Sequence, residues 1–144
     1  MGESPKRIQR CRTKGWRMPE GAISVTRPGV WGNPFIIGKD SGIFPGEVLV
    51  PTIRLATSLR YYRHMIEGYL GPEMHPHGHD WTERFHRHFH NLHPEDAAQR
   101  YLRGHDLACW CRLCPEHAAG LPLGVTCEAC RPCHATVLLE LAND

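Results

Sequence analysis

The chain has 144 residues, which suits one compact domain and leaves no room for two of ordinary size. With 41% hydrophobic residues it can bury a modest core, yet no run reaches the ~18 apolar residues of a membrane helix. The formal charge of +2 does not by itself demand a polyanionic partner, and MGESPKRIQRCRTKGWR holds no apolar signal segment, so no membrane and a cytoplasmic setting are expected.

Residues 1–18 read as a basic arm, with Lys6, Arg7, Arg10, Arg12, Lys14 and Arg17, an aromatic at Trp16 and no acid after Glu3. Such an arm can grip phosphates by charge and stacking, or stay solvated. Residues 19–144 read as a single α/β domain, a small layered sheet with helices. Ala22–Thr26 is a β-prone run ended by the Arg27-Pro28-Gly29 turn signal. In VWGNPFIIG the Gly32-Asn33-Pro34 break predicts a tight turn. Trp31 and Phe35 then serve as core anchors, while Arg27, Asn33 and the turn amides suit a phosphate, carboxylate or nucleobase. Residues 38–51, rich in glycine and proline, read as a loop.

Leu55, Leu59, Tyr62, Ile66 and Tyr69 step by four and three, predicting a helix with Thr52 as its cap and Gly68 or Gly71 as its stop. A second helix is expected from Asp80, which stands at capping-box spacing from Glu83, with Trp81, Phe85, Phe89 and Leu92 as its apolar stripe. Pro94–Arg103 reads as a third helix, Leu107–Cys111 as a buried strand and Ala135–Leu141 as a final helix. Among the histidines, His75, His77 and His79 alternate, and His86, His90 and His93 fall on one helix face. Metal binding there competes with the plainer reading of a solvated face.

Of seven cysteines, six crowd between positions 109 and 133, and in a reducing compartment such a cluster points to metal or chemistry and not to disulfides. Cys111-x2-Cys114 and Cys127-x2-Cys130 are two CxxC turns, and the prolines and glycines of the PEHAAGLPLGVT between them let the chain bend back. Two such turns can complete a tetrahedron around one structural zinc ion, with an iron–sulfur cluster as the lesser alternative. Cys114, Cys127 and Cys130 serve in either ligand set, and Cys111 or His117 supplies the fourth donor. Cys109 and Cys111 alternate along their strand and face one way, Trp110 the other. Cys133 and His134 precede the last helix, whose free N–H groups favour a thiolate. These four residues can converge as a nucleophilic thiolate with a histidine base, as a second metal site, or as buried apolar thiols beside a capping histidine.

LRGHDLACWC, PCHATVLLELAN and the upstream RPGVWGNPFIIG resemble the family called domain of unknown function 4326, which occurs in actinobacteria and their phages; the resemblance spans roughly residues 7 to 143. In that family the CWC and PCH elements are joined by a few residues only, whereas about twenty intervene here. The resemblance therefore implies that residues 112–131 are a zinc-loop insertion, and it favours Cys114, His117, Cys127 and Cys130 as ligands. It carries no activity to transfer.

The leading expectation is an enzyme acting on a nucleotide, nucleoside or nucleic-acid-derived substrate. Cys133 or Cys109 is then the nucleophile, His134 the proton carrier, and Arg27, Trp31, Asn33 and Trp110 the substrate contacts. The alternative is a zinc-stabilised module that binds nucleic acid or protein without chemistry. A metal-buffering role for the thiols and histidines is a third.

Overall fold

A computed structural model describes residues 4–35, 54–74 and 77–144. The expected loop at 38–51, the Thr52 cap and His75 lie outside the described residues. The elements run β1 (Lys6–Gln9), β2 (Ile23–Ser24), α1 (Leu55–Glu67), α2 (Gly78–Phe89), α3 (Pro94–Tyr101), β3 (Leu107–Cys109), β4 (Leu121–Pro122) and α4 (His134–Ala142). This is an α/β protein, and the chain divides into two units, residues 1–26 with 98–144 and residues 27–97.

The first unit carries the sheet, in the order β2-β3-β1-β4. Strands β1 and β2 both run parallel to β3, and β4 runs antiparallel to β1. Lys6–Gln9, expected within a basic arm, is thus an inner strand. Its register is Arg7↔Leu107, Ile8↔Ala108 and Gln9↔Cys109, and the Asp106 carboxylate accepts from the Lys6 amide at 3.0 Å. Ladder bonds join backbone to backbone, so a strand whose side chains are mostly polar declares itself only by its neighbours. Helix α4 lies against β1 and β3, with Ala135, Val137, Leu138, Leu139 and Leu141 buried. A helix apolar on nearly every side must be enclosed. Its last carbonyls are satisfied by side chains, Arg103 Nε donating to Ala142 O at 2.9 Å and Gln99 to Leu141 O at 3.4 Å.

The second unit holds α1 and α2. Ser58, Tyr62, Met65 and Ile66 are the buried residues of α1. Gly68 closes that helix at φ +92°, a left-handed conformation that favours glycine. Tyr69, expected on the apolar face, falls beyond that stop and is exposed. Helix α2 starts at Gly78 and not at Asp80. A Cβ on Gly78 would stand 1.8 Å from the Pro72 carbonyl oxygen, so only glycine fits this start. Asp80 and Glu83 make no capping box and pair instead with Arg84 at 3.3 Å and Arg87 at 3.0 Å. His90 follows α2 in the left-handed region, which breaks the expected alignment of His86, His90 and His93 on one helix face. Among the described residues no helix is long and apolar enough to cross a membrane.

Candidate metal centres

The insertion is built into the sheet. Leu121 and Pro122 pair with Arg7 and Lys6 as β4, the Arg131 amide donates to Arg112 O at 2.9 Å across the neck, and the Leu123 amide donates to Pro5 O at 2.9 Å. The turns on either side of β4 bring their donors together. Cys114 Sγ lies 3.2 Å from His117 Nδ1 and 3.8 Å from Cys127 Sγ, and Cys130 Sγ lies 3.6 Å from His117 Nδ1. All four ligand atoms fall within 4.8 Å of one another. A tetrahedral zinc with bonds of about 2.3 Å to sulfur and about 2.0 Å to nitrogen has edges of about 3.8 Å between sulfurs and about 3.5 Å from sulfur to nitrogen. The donor set therefore fits such an ion, and these side chains could hold one.

Backbone donors and apolar side chains surround these sulfurs. The Cys114 amide donates to Cys130 Sγ at 3.3 Å, and the backbone N–H of Cys130 lowers the Cys127 thiol to about 7. A short 3-10 turn, Pro115–His117, swings His117 back over Cys114, its amide donating to Cys114 O at 3.0 Å. Leu113 and Leu121 pack with Cys114 and Cys130 in a small buried cluster. Cys111 is outside this set, and the fourth donor that could complete it is His117.

A second group forms at the carboxyl end of β3 and the start of α4. The sulfurs of Cys109, Cys111 and Cys133 lie within 4.8 Å of one another, with Cys133 Sγ 3.0 Å from Cys109 Sγ. Cys109 and Cys133 are 1% and 2% exposed, while Cys111 is half-buried. His134 points Nδ1 toward Cys133 Sγ at 3.6 Å, and its Nε2 sits 2.6 Å from the Val25 carbonyl oxygen. Thiol hydrogen bonds from Cys109 and Cys133 bring Cys111 down to about 2, helped by the Arg7 guanidinium. The Cys111 sulfur in turn raises Cys109 to about 11. A partly exposed thiol of lowered pKa beside two buried thiols is chemically able to attack an electrophile or to bind a soft metal.

Arg7 was not legible as part of this site. It is 1% exposed and donates to Thr136 Oγ1 at 3.2 Å and to Arg112 O at 3.3 Å. Trp110, between the two cysteines, is 41% exposed. The Arg10 and Arg12 guanidinium carbons stand 4.4 and 4.7 Å from its ring centroid. Arg10 is held by Ser24 Oγ at 3.1 Å and Thr26 Oγ1 at 3.0 Å. Because β1 and β3 are parallel neighbours, the residues following both strands emerge at one sheet edge. An open cleft of about 620 Å³ beside the hairpin is lined by Gln9, Cys11, Trp16, Arg112 and Pro115 among others.

Arg27, Trp31 and Asn33 belong to the second unit. Trp31 is buried with Phe85 and Phe89 rings at 5.1 Å. Asn33 donates to Ser58 Oγ at 2.8 Å and accepts from the Phe35 amide at 2.9 Å. Arg27 backbone and side-chain atoms pack so closely on Gly32 that a Cβ there would meet them at 2.8 Å. These three residues build the turn. No group of three metal donors among the described residues includes a histidine from 77–93.

The sequence profile of the family described as Domain of unknown function (DUF4326) matches residues 8–144, and the chain belongs to that family. No curated protein and no solved structure matches the chain.

Proposed function

We propose that this member of the family is a zinc-stapled module that binds single-stranded nucleic acid or a nucleotide through Trp110, Arg10 and Arg12. The observation that carries the reading is the half-exposed indole with two guanidinium groups within 5 Å of its ring. An indole offers a stacking surface to any base, and the guanidinium groups offer charge to the adjoining phosphates. Arg10 is oriented in advance by two hydroxyl groups, which lowers the entropy lost on binding. Trp16 and Arg112, in the cleft beside the hairpin, supply the same pair of chemistries.

In this reading the ion held by Cys114, His117, Cys127 and Cys130 is zinc, and its role is structural. Four protein donors leave no open position for substrate. Support for thiol catalysis is weaker. Cys133 and Cys109 are enclosed, and His134 is engaged through Nε2.

The test is affinity for a fluorescent single-stranded oligonucleotide across a salt series. The expected result is a dissociation constant that rises with salt and a marked loss on Trp110→Ala. Binding that ignores both salt and the indole would sink the proposal.

A further inference from the structure

We propose that Cys109, Cys111, Cys133 and Nδ1 of His134 form a second metal centre, separate from the hairpin, for a thiophilic divalent ion. This inference does not depend on whether the chain binds nucleic acid.

Three observations converge on it. The first is donor geometry. Three sulfurs share a space of 4.8 Å, and His134 Nδ1 stands 3.6 Å from Cys133 Sγ, the sulfur-to-nitrogen edge of about 3.5 Å that a tetrahedral ion requires. A small rotation of the Cys109 and Cys133 thiols from their 3.0 Å contact opens the centre to an ion.

The second is the histidine's other nitrogen. With Nε2 2.6 Å from the Val25 carbonyl oxygen, the proton must reside on Nε2, because a carbonyl can only accept. The Nδ1 lone pair is thereby aimed at the sulfurs. Histidines that bind metals characteristically donate their second ring N–H to a carbonyl or carboxylate in this way.

The third is charge. The Arg7 guanidinium is buried and donates to a hydroxyl and a carbonyl, and its Nε makes no hydrogen bond. No carboxylate pairs with it among the described residues. A buried cation favours a compensating negative group beside it. Three thiolates, a neutral imidazole and a divalent ion sum to one negative charge, which balances Arg7. Ion binding releases the remaining thiol protons to solvent. The positive end of α4, at whose first turn Cys133 and His134 sit, favours the same negative group.

The experiment is metal analysis of the full chain purified without chelators. The expected content is two ions per chain, falling to one in Cys111→Ser, which changes a half-buried residue outside the hairpin. One ion or none in the wild type overturns the proposal, as does a variant that keeps both. An absorption spectrum typical of an iron–sulfur cluster overturns it too. Should Cys111→Ser not fold, cobalt substitution of the wild type decides. Sulfur-to-cobalt absorption of six thiolates per chain supports the proposal, and absorption of three defeats it. Affinity for an oligonucleotide is measured separately, so failure here and failure of the binding reading are distinguishable.

Discussion

Arg7 and Thr136 meet at 3.2 Å, guanidinium to hydroxyl, and tie the inner strand β1 to the last helix α4. The same side chain donates to Arg112 O at the neck of the insertion. One buried cation therefore links the sheet, the C-terminal helix and the root of the insertion. Arg7→Met should destabilise the protein by about 3 kcal/mol, because the buried Thr136 hydroxyl and Arg112 carbonyl lose their donor. Denaturant titration of both proteins checks this, and an unchanged midpoint would remove Arg7 from the account.

Removing an ion that the hairpin donors would hold should have a larger effect. Cys114 and Cys130 sit within a buried cluster with Leu113 and Leu121, so losing the ion also uncovers apolar surface and frees β4. Cys130→Ala is expected to cost at least about 4 kcal/mol, the scale of mutations that delete a metal site. Thermal melts with and without chelator should converge for the variant and separate widely for the wild type.

Trp110 lies at the surface, so Trp110→Ala should leave the melting temperature nearly unchanged. Stacking is worth about 1–3 kcal/mol per base, so oligonucleotide affinity should fall by roughly 5- to 150-fold. Trp110→Phe should recover part of the loss. Equal affinity for all three proteins would assign the indole no binding role.

Trp31 should behave in the opposite way. Its ring packs on Phe85 and Phe89, so Trp31→Ala should cost about 3–5 kcal/mol. A Trp31→Phe variant that folds should keep its ligand affinity. A folded variant with lost affinity would return Trp31 to the substrate contacts.

The difference between these two tryptophans shows where sequence reading reaches its limit. Helices α1 and α2 were legible because apolar residues recur at three and four, and the buried Tyr62, Ile66, Trp81, Phe85 and Phe89 were all anticipated. The start of α2 was misplaced because Gly78 is chosen by its approach to Pro72, a contact that no local pattern encodes. The hairpin donors were visible because metal ligands must cluster along the chain wherever a short turn presents them.

By itself the sequence determined the α/β class, the main helices and strand β3, the late Cys/His set that could hold a metal ion, and the family. These follow from periodicity, turn chemistry and spacing, all of which act over a few residues. Only the tertiary structure decided that Lys6–Gln9 is an inner strand, that β4 of the insertion completes the sheet, and that Arg7 is buried beside a cluster of thiols. Strand pairing and charge compensation join residues some hundred positions apart, as the Lys6 amide and Asp106 are. Such partners leave no periodic trace in either segment.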